Sequence, residues 1–140
     1  MRDLPIGALS EQTGVKVPTI RYYERAGLMP QAARTEANRR TYSTRDVDRL
    51  KFIRHARELG FEFDAIRQLL HLADQPDRSC AAADVIARVH LRDIESKLAR
   101  LTALQTEVRR MIDDCAHGRV GDCRVIQVLA DHGQCVSDAH

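Results

Sequence analysis

Residues 6–28 read IGALSEQTGVKVPTIRYYERAGL, and the fold is decided by how this stretch divides. Helical spacing begins at about Ile6, Thr13, Gly14 and Val15 mark a tight turn, and a second helix is expected over 17–25. Pro18 falls in the first turn of that second helix, where early amides have no intrahelical partner, and Gly27 supplies its stop. The result is a helix-turn-helix outline.

Outward from that stretch, MPQAARTEANRRTY (29–42) contains Pro30 and no sustained 3.6-residue period, which suits a two-stranded wing turning near Asn38. Ser43 has the position of an N-cap with Asp46 three residues on. It opens a helix whose apolar positions are Val47, Leu50, Ile53, Ala56 and Leu59, ended by Gly60. A fourth helix over about 62–73 carries Ile66, Leu69, Leu70 and Leu72 before Pro76 breaks the pattern. From residue 81 to about 114 runs the longest element, with neither Gly nor Pro inside it.

Within that element Leu91, Ile94, Leu98, Leu101, Gln105, Val108, Ile112 and Cys115 form one seam at heptad spacing, with Gln105 as its polar layer. The four short helices are needed for their own core, so this seam calls for a second copy of the chain. A homodimer is expected. The fold class is mostly α, divided into a winged helix-turn-helix domain (1–75), a linker and dimerisation helix (76–114), and a loop, short helix and tail (115–140).

Composition agrees with helices: of 140 residues, 44% are hydrophobic and 30% charged, while aromatics make up only 4% and Trp is absent. The net charge of +2 conceals an asymmetry. Residues 1–60 hold 12 Lys/Arg against 7 Asp/Glu, and residues 61–140 hold 10 against 13, so a basic front half precedes an acidic back half. No run of about 18 apolar residues is present, so membrane spanning is not indicated and the cytoplasm is the expected location. All four cysteines, Cys80, Cys115, Cys123 and Cys135, lie in the back half, where grouped thiols in a reducing compartment point to metal or redox chemistry.

Four segments in order, IGALSEQTGV, TIRYYERAGL, ARTEANRRTY and LKFIRHARELGF, followed by a long helix, resemble the MerR family of transcription regulators in its divalent heavy-metal-sensing branch. The resemblance covers nearly the whole chain. It implies a DNA-binding face made by Thr19, Arg21, Tyr22 and Tyr23 on the second helix, Arg34, Arg40 and Tyr42 in the wing, and Arg54 in a third contact region. Guanidinium, hydroxyl and aromatic groups are the chemistry that reaches base edges and phosphates. The alternative for Tyr22 or Tyr23 singly is a half-buried place in the core. Lys16 stands where the family has a small N-capping residue, Arg39 where Tyr or Gln is frequent, and Asn38 where Gly is frequent, which bears on operator preference.

Cys80 lies just before the long helix and Cys115 at its end, about 50 Å apart at 1.5 Å per residue. One chain cannot close that gap. If two helices pair antiparallel, an arrangement the resemblance implies, Cys80 of one copy meets the CAHGRVGDC loop (115–123) of the other. Two three-thiolate sites of Cys80, Cys115 and Cys123 then span the dimer interface. The family's copper(I) sensors have Ser in place of Cys80, so a third thiol implies a thiophilic divalent ion: cadmium or lead first, with zinc or mercury as alternatives. Ala116 stands where the zinc sensors have a second cysteine. Gly118 and Gly121 are expected to fold the loop around the ion or to make an ordinary helix-ending turn. His117, and the tail residues His132, Cys135 and His140, are further candidate ligands or solvated side chains. The segment CRVIQVLAD (123–131) is expected to form a two-turn helix presenting Val125, Ile126, Val128 and Leu129.

The expectation is therefore a cytoplasmic, homodimeric, metal-responsive activator of metal-resistance or efflux genes. The resemblance implies a palindromic operator in promoter DNA, distorted on metal binding so that RNA polymerase engages. A thiol-based redox sensor of the same fold, or a metal-buffering protein with no DNA role, are the alternatives. No paired catalytic carboxylates, nucleophile elbow or phosphate-binding glycine loop argues for an enzyme.

Overall fold

The computed structural model describes residues 4–37, 39–115, 117–131 and 133. It divides into two compact units, residues 1–86 and 87–140. The first holds α1 (Ile6–Thr13), α2 (Val17–Arg25), β1 (Ala33–Arg34), β2 (Arg40–Thr41), α3 (Thr44–Glu58) and α4 (Phe63–Ala73). The long helix α5 (Ala81–Asp113) begins in it and continues through the second unit, which also holds a 3-10 turn (Val120–Asp122) and α6 (Arg124–Ala130).

Gly14 makes the turn between α1 and α2 with φ of 73°, and its amide closes on the Ser10 carbonyl at 2.8 Å. This left-handed conformation is one that glycine adopts without steric penalty. The turn is braced twice more: the Thr13 hydroxyl donates to the Leu9 carbonyl at 2.8 Å, and the Ser10 hydroxyl to the Val15 carbonyl at 2.6 Å. α2 begins at Val17 with Pro18 in its first turn; Lys16 at the N-cap contributes no side-chain bond. Gly27, at φ of 80°, lets the chain reverse so that the Leu28 and Met29 amides both return to the Tyr23 carbonyl.

The wing is a short antiparallel ladder, Ala33 opposite Thr41 and Arg34 opposite Arg40. It is extended by a bridge in which Leu4 and Tyr42 exchange backbone bonds of 2.7 and 2.8 Å. The turn between its strands is tied by the Thr35 amide to the Arg39 carbonyl at 2.8 Å; Asn38 lies outside the described residues.

α3 opens on the expected capping box: the Asp46 amide donates to the Ser43 hydroxyl and the Ser43 amide to the Asp46 carboxylate at 2.8 Å. Its buried residues are Val47, Leu50, Ile53 and Ala56. Leu59, expected to extend that stripe, is 67% exposed, because it sits at the C-cap where the helix has already ended ahead of Gly60. Leu9, Ile20, Leu28, Leu50, Ile53 and Ile66, all fully buried, make one core with Tyr42 and Tyr23. Each such aliphatic side chain stabilises the fold by roughly 1.5–3 kcal/mol through burial.

In the second unit α5 shows two different faces. Glu107 and Met111 are buried, as is Val128 of α6. The heptad seam is bare: Leu91, Ile94, Leu98, Leu101, Val108 and Ile112 are all exposed.

Two glycines separate conformational need from mere smallness. Gly7, in α1, has open space where a Cβ would stand, so Gly7→Ala is expected to stabilise the fold by up to about 1 kcal/mol. Gly14→Ala is expected to destabilise it by at least about 1–2 kcal/mol, since it strains a left-handed residue and the added Cβ meets the Arg54 guanidinium. Urea unfolding of the two variants checks both signs.

Candidate nucleic-acid interface and thiol pair

α2 and the wing share a cleft of about 250 Å³ lined by Arg21, Glu24, Arg25, Gln31, Arg34 and Arg40. Three of the arginines expected at a DNA surface, Arg21, Arg34 and Arg40, are thus brought together. Arg25 joins them, a residue the sequence reading passed over; its place four residues after Arg21, hence on the same helix face, was the available signal. Thr19 is half-buried on α2 and Tyr22 is 46% exposed beside it, its ring 5.6 Å from that of Phe63.

Tyr23 and Tyr42 take core places. The Tyr23 ring meets Phe63 edge-on at 6.1 Å and is 8% exposed. Tyr42 is 2% exposed, and its hydroxyl donates to the Glu24 carboxylate of α2. Burial, then that bond and the carboxylate's charge, hold the Tyr42 phenol well above its ordinary pKa, so it stays protonated and donating. Helical spacing puts Tyr23 three residues after buried Ile20, and Tyr42 is the last residue of the wing before the α3 cap. Both positions face the core.

Arg54 stands apart from the cleft. From α3 its guanidinium donates to the Thr13 carbonyl at 2.6 Å and pairs with Glu58 at 3.0 Å, so it clamps the α1–α2 turn from outside. Arg67 makes a comparable tie from α4, donating to the Ala26 carbonyl at the end of α2. The helix-turn-helix is thereby held by charged donors on the carbonyls at the ends of α1 and α2, in addition to its core.

In the second unit, Cys115 follows the last turn of α5 and Cys123 occupies the N-cap of α6. Their sulfurs are 3.8 Å apart. Two thiolates bound to one ion at about 2.3 Å with a tetrahedral angle span about 3.8 Å. The pair therefore fits a shared metal ion as it stands. The backbone amides of Ile126 and Val125 in the first turn of α6, with the neighbouring Cys115, favour the Cys123 thiolate and hold its thiol below the ordinary cysteine pKa, against an opposing effect of burial. The α6 start is further tied by Arg124, 3.7 Å from Asp114, which Arg110 also approaches at 3.7 Å.

The loop between the thiols turns differently from expectation. Gly118 and Gly121 have ordinary backbone angles and open space around them, so neither is required by a tight fold about an ion. The left-handed residue is His117, at φ of 54°, and its side chain is exposed. Among the described residues no three His, Cys, Asp or Glu side chains gather as a metal-holding group. Cys80 is exposed in the first unit, lining a mostly apolar groove with Phe52, Leu69, Leu72 and Pro76. Ala116, His132, Cys135 and His140 lie outside the described residues.

α6 forms as expected but presents only part of its apolar set: Val128 is buried, while Ile126 and Leu129 are exposed. No helix among the described residues is long and apolar enough to cross a membrane.

Comparison with known proteins agrees with this architecture. Residues 4–72 match the model of the MerR HTH family regulatory protein, and residues 47–111 that of the MerR DNA-binding region. The HTH-type transcriptional regulator ZntR of Escherichia coli (strain K12) is 38% identical over 128 residues, covering 89% of this chain and 90% of that protein. The mercuric resistance operon regulatory protein of Bacillus cereus is 35% identical, covering 89% and 95%. The crystal structure of the transcription regulator PbrR691 from Ralstonia metallidurans CH34 in complex with lead(II) superposes with a TM-score of 0.80 at 33% identity, covering 90% of this chain and 98% of that one. With its helix-turn-helix, wing and long helix all in the order these relatives share, the chain belongs to the MerR family of helix-turn-helix transcription regulators.

Proposed function

We propose that this protein is a homodimeric activator that senses a thiophilic divalent metal ion and switches on genes for metal resistance or efflux. The observation that carries the reading is the Cys115–Cys123 pair, set at the separation of two thiolates on one ion. Names of two relatives support the class of ion, one regulating mercuric resistance and one complexed with lead(II).

Two thiolates leave such an ion undersupplied. Cys80 of a second copy is the third ligand in this reading, since its own chain interposes the whole of α5 between it and the pair. The bare seam of α5 gives the second copy its place. Burying Leu91, Ile94, Leu98, Leu101, Val108 and Ile112 against their counterparts removes an exposed apolar stripe from water. When bound, the ion supplies the crosslink that couples the loop of one copy to the DNA-binding unit of the other. Cadmium and lead fit a three-thiolate site; zinc prefers a fourth ligand, which His117, Asp122 or water would provide, and mercury is a further candidate.

On the DNA side, Thr19, Arg21 and Tyr22 face the major groove of a palindromic promoter operator, and Arg34 and Arg40 of the wing take phosphates. Tyr23 and Tyr42 support this face from the core, and Arg54 fixes the turn that aims α2. Metal binding shifts the two DNA-binding units relative to one another and distorts the operator, which lets RNA polymerase engage. The soluble, cytoplasmic setting of a promoter is part of the same reading.

The half-buried thiol pair also suits oxidation, the rival in which peroxide rather than metal is the signal. Operator-driven transcription with purified components separates the two. Cadmium or lead added anaerobically is expected to raise transcript yield with all thiols still titratable after chelation; activation only by peroxide, with loss of two thiols, contradicts the proposal.

Two further outcomes follow from the geometry. Because the amides at the start of α6 favour the Cys123 thiolate, its alkylation rate in the metal-free protein is expected to rise with pH through a midpoint below that of an ordinary cysteine and to return to the ordinary value in urea. Mass-resolved iodoacetamide labelling reads both. Arg21→Ala and Arg40→Ala are each expected to reduce the slope of log affinity against log salt by roughly 0.9 if each guanidinium holds one phosphate. Fluorescence anisotropy over a salt series measures it.

A further inference from the structure

The cleft between α2 and the wing contains a residue of the wrong sign. Arg21, Arg25, Arg34 and Arg40 line it, and so does Glu24. A carboxylate turned toward a DNA phosphate repels it, and one that captures an arginine removes a phosphate donor. The second arrangement is absent for three of the four: no ion pair joins Glu24 to Arg21, Arg25 or Arg40 among the described residues. Instead Glu24 accepts the hydroxyl of Tyr42, a buried residue outside the cleft lining. Tyr42 cannot swing away, because its ring is packed in the core and its backbone is bridged in both directions to Leu4.

We propose that Tyr42 is a positioning residue for DNA affinity: it holds the Glu24 carboxylate against the protein, so that Arg21, Arg25 and Arg40 in the cleft between α2 and the wing are left to a backbone phosphodiester. The raised pKa of the phenol keeps its proton on the oxygen, and so available to Glu24, at alkaline pH where an ordinary tyrosine begins to ionise. A hydrogen bond to a carboxylate is among the strong ones, and this one spans the wing and α2, so it also fixes the width of the cleft. This inference rests on the DNA-binding reading, and it assigns to the wing tyrosine a role through Glu24 in place of direct DNA contact.

The test uses the full-length protein and a random-sequence duplex several helical turns long, since phosphate contacts do not depend on sequence. Tyr42→Phe removes only the hydroxyl and leaves the ring in the core; it is expected to bind the duplex roughly three- to tenfold more weakly at low salt. Glu24→Gln keeps an acceptor for Tyr42 but removes the charge, and should bind at least as tightly as the wild type. The decisive variant is Tyr42→Phe/Glu24→Gln, expected to regain the affinity of Glu24→Gln, because no carboxylate is left to restrain. A purely structural tyrosine predicts instead that the double variant stays as weak as Tyr42→Phe. That result, or wild-type affinity in Tyr42→Phe, overturns the inference. A wild-type protein showing no salt-sensitive duplex binding overturns the DNA-binding reading itself.

Discussion

An apolar seam that the described residues of its own chain leave exposed governs the rest of this molecule. α5 runs 33 residues without Gly or Pro, and the large side chains from Leu91 to Ile112 on one face are exposed along it. A single helix with one such face does not persist in water on propensity alone; it needs a partner surface. The buried positions Glu107 and Met111 belong to a different face, so the covered and bare sides of α5 are not in competition. A second copy offers an identical seam, and a two-fold symmetric protein matches a palindromic operator. In the proposed mechanism the incomplete thiol pair and the uncovered helix are aspects of one requirement.

The two ends of the chain achieve order by different means. In the first unit a core of aliphatic residues around Leu50 and Ile53 holds the helices, and charged side chains, Arg54 on the Thr13 carbonyl and Arg67 on the Ala26 carbonyl, hold the ends of α1 and α2. Among the described residues the second unit has few buried side chains, and the start of α6 is tied by the Arg124–Asp114 ion pair. In the proposed function, an anchored DNA-binding unit and a lightly packed sensor loop suit a switch, because the low-stability element is the one that a ligand can order at modest energetic expense.

Local rules carried the sequence reading far. The Ser43–Asp46 capping box, the stop at Gly27, the helix over 17–25 and the unbroken run beginning at residue 81 rest on propensity and capping chemistry that neighbours in sequence determine. The thiol pair was legible for a similar reason: Cys115 and Cys123 are only eight positions apart in the chain, and their sulfurs lie side by side. Contacts between distant segments were not. Nothing in RRTY or RYYE alone reveals that Tyr42 reaches Glu24 eighteen residues earlier, or that Arg54 crosses 41 residues to Thr13. Gly118 and Gly121 could be read either as folding the loop around an ion or as an ordinary helix-ending turn; glycine permits a left-handed residue without requiring one, and here His117 takes that conformation. Leu59 misled because apolar periodicity continued one residue past the helix end.

The claim on which the account stands is that one metal site draws sulfur from two chains. Co-refolding a Cys80→Ser chain with a Cys115→Ser/Cys123→Ser chain gives heterodimers carrying all three thiols once, on opposite sides of the interface. The account predicts that each homodimer of these variants fails to hold cadmium or lead tightly, while the purified heterodimer binds one ion with the affinity of a wild-type site. A heterodimer as deficient as its parents, or a Cys80→Ser homodimer that binds like the wild type, contradicts it.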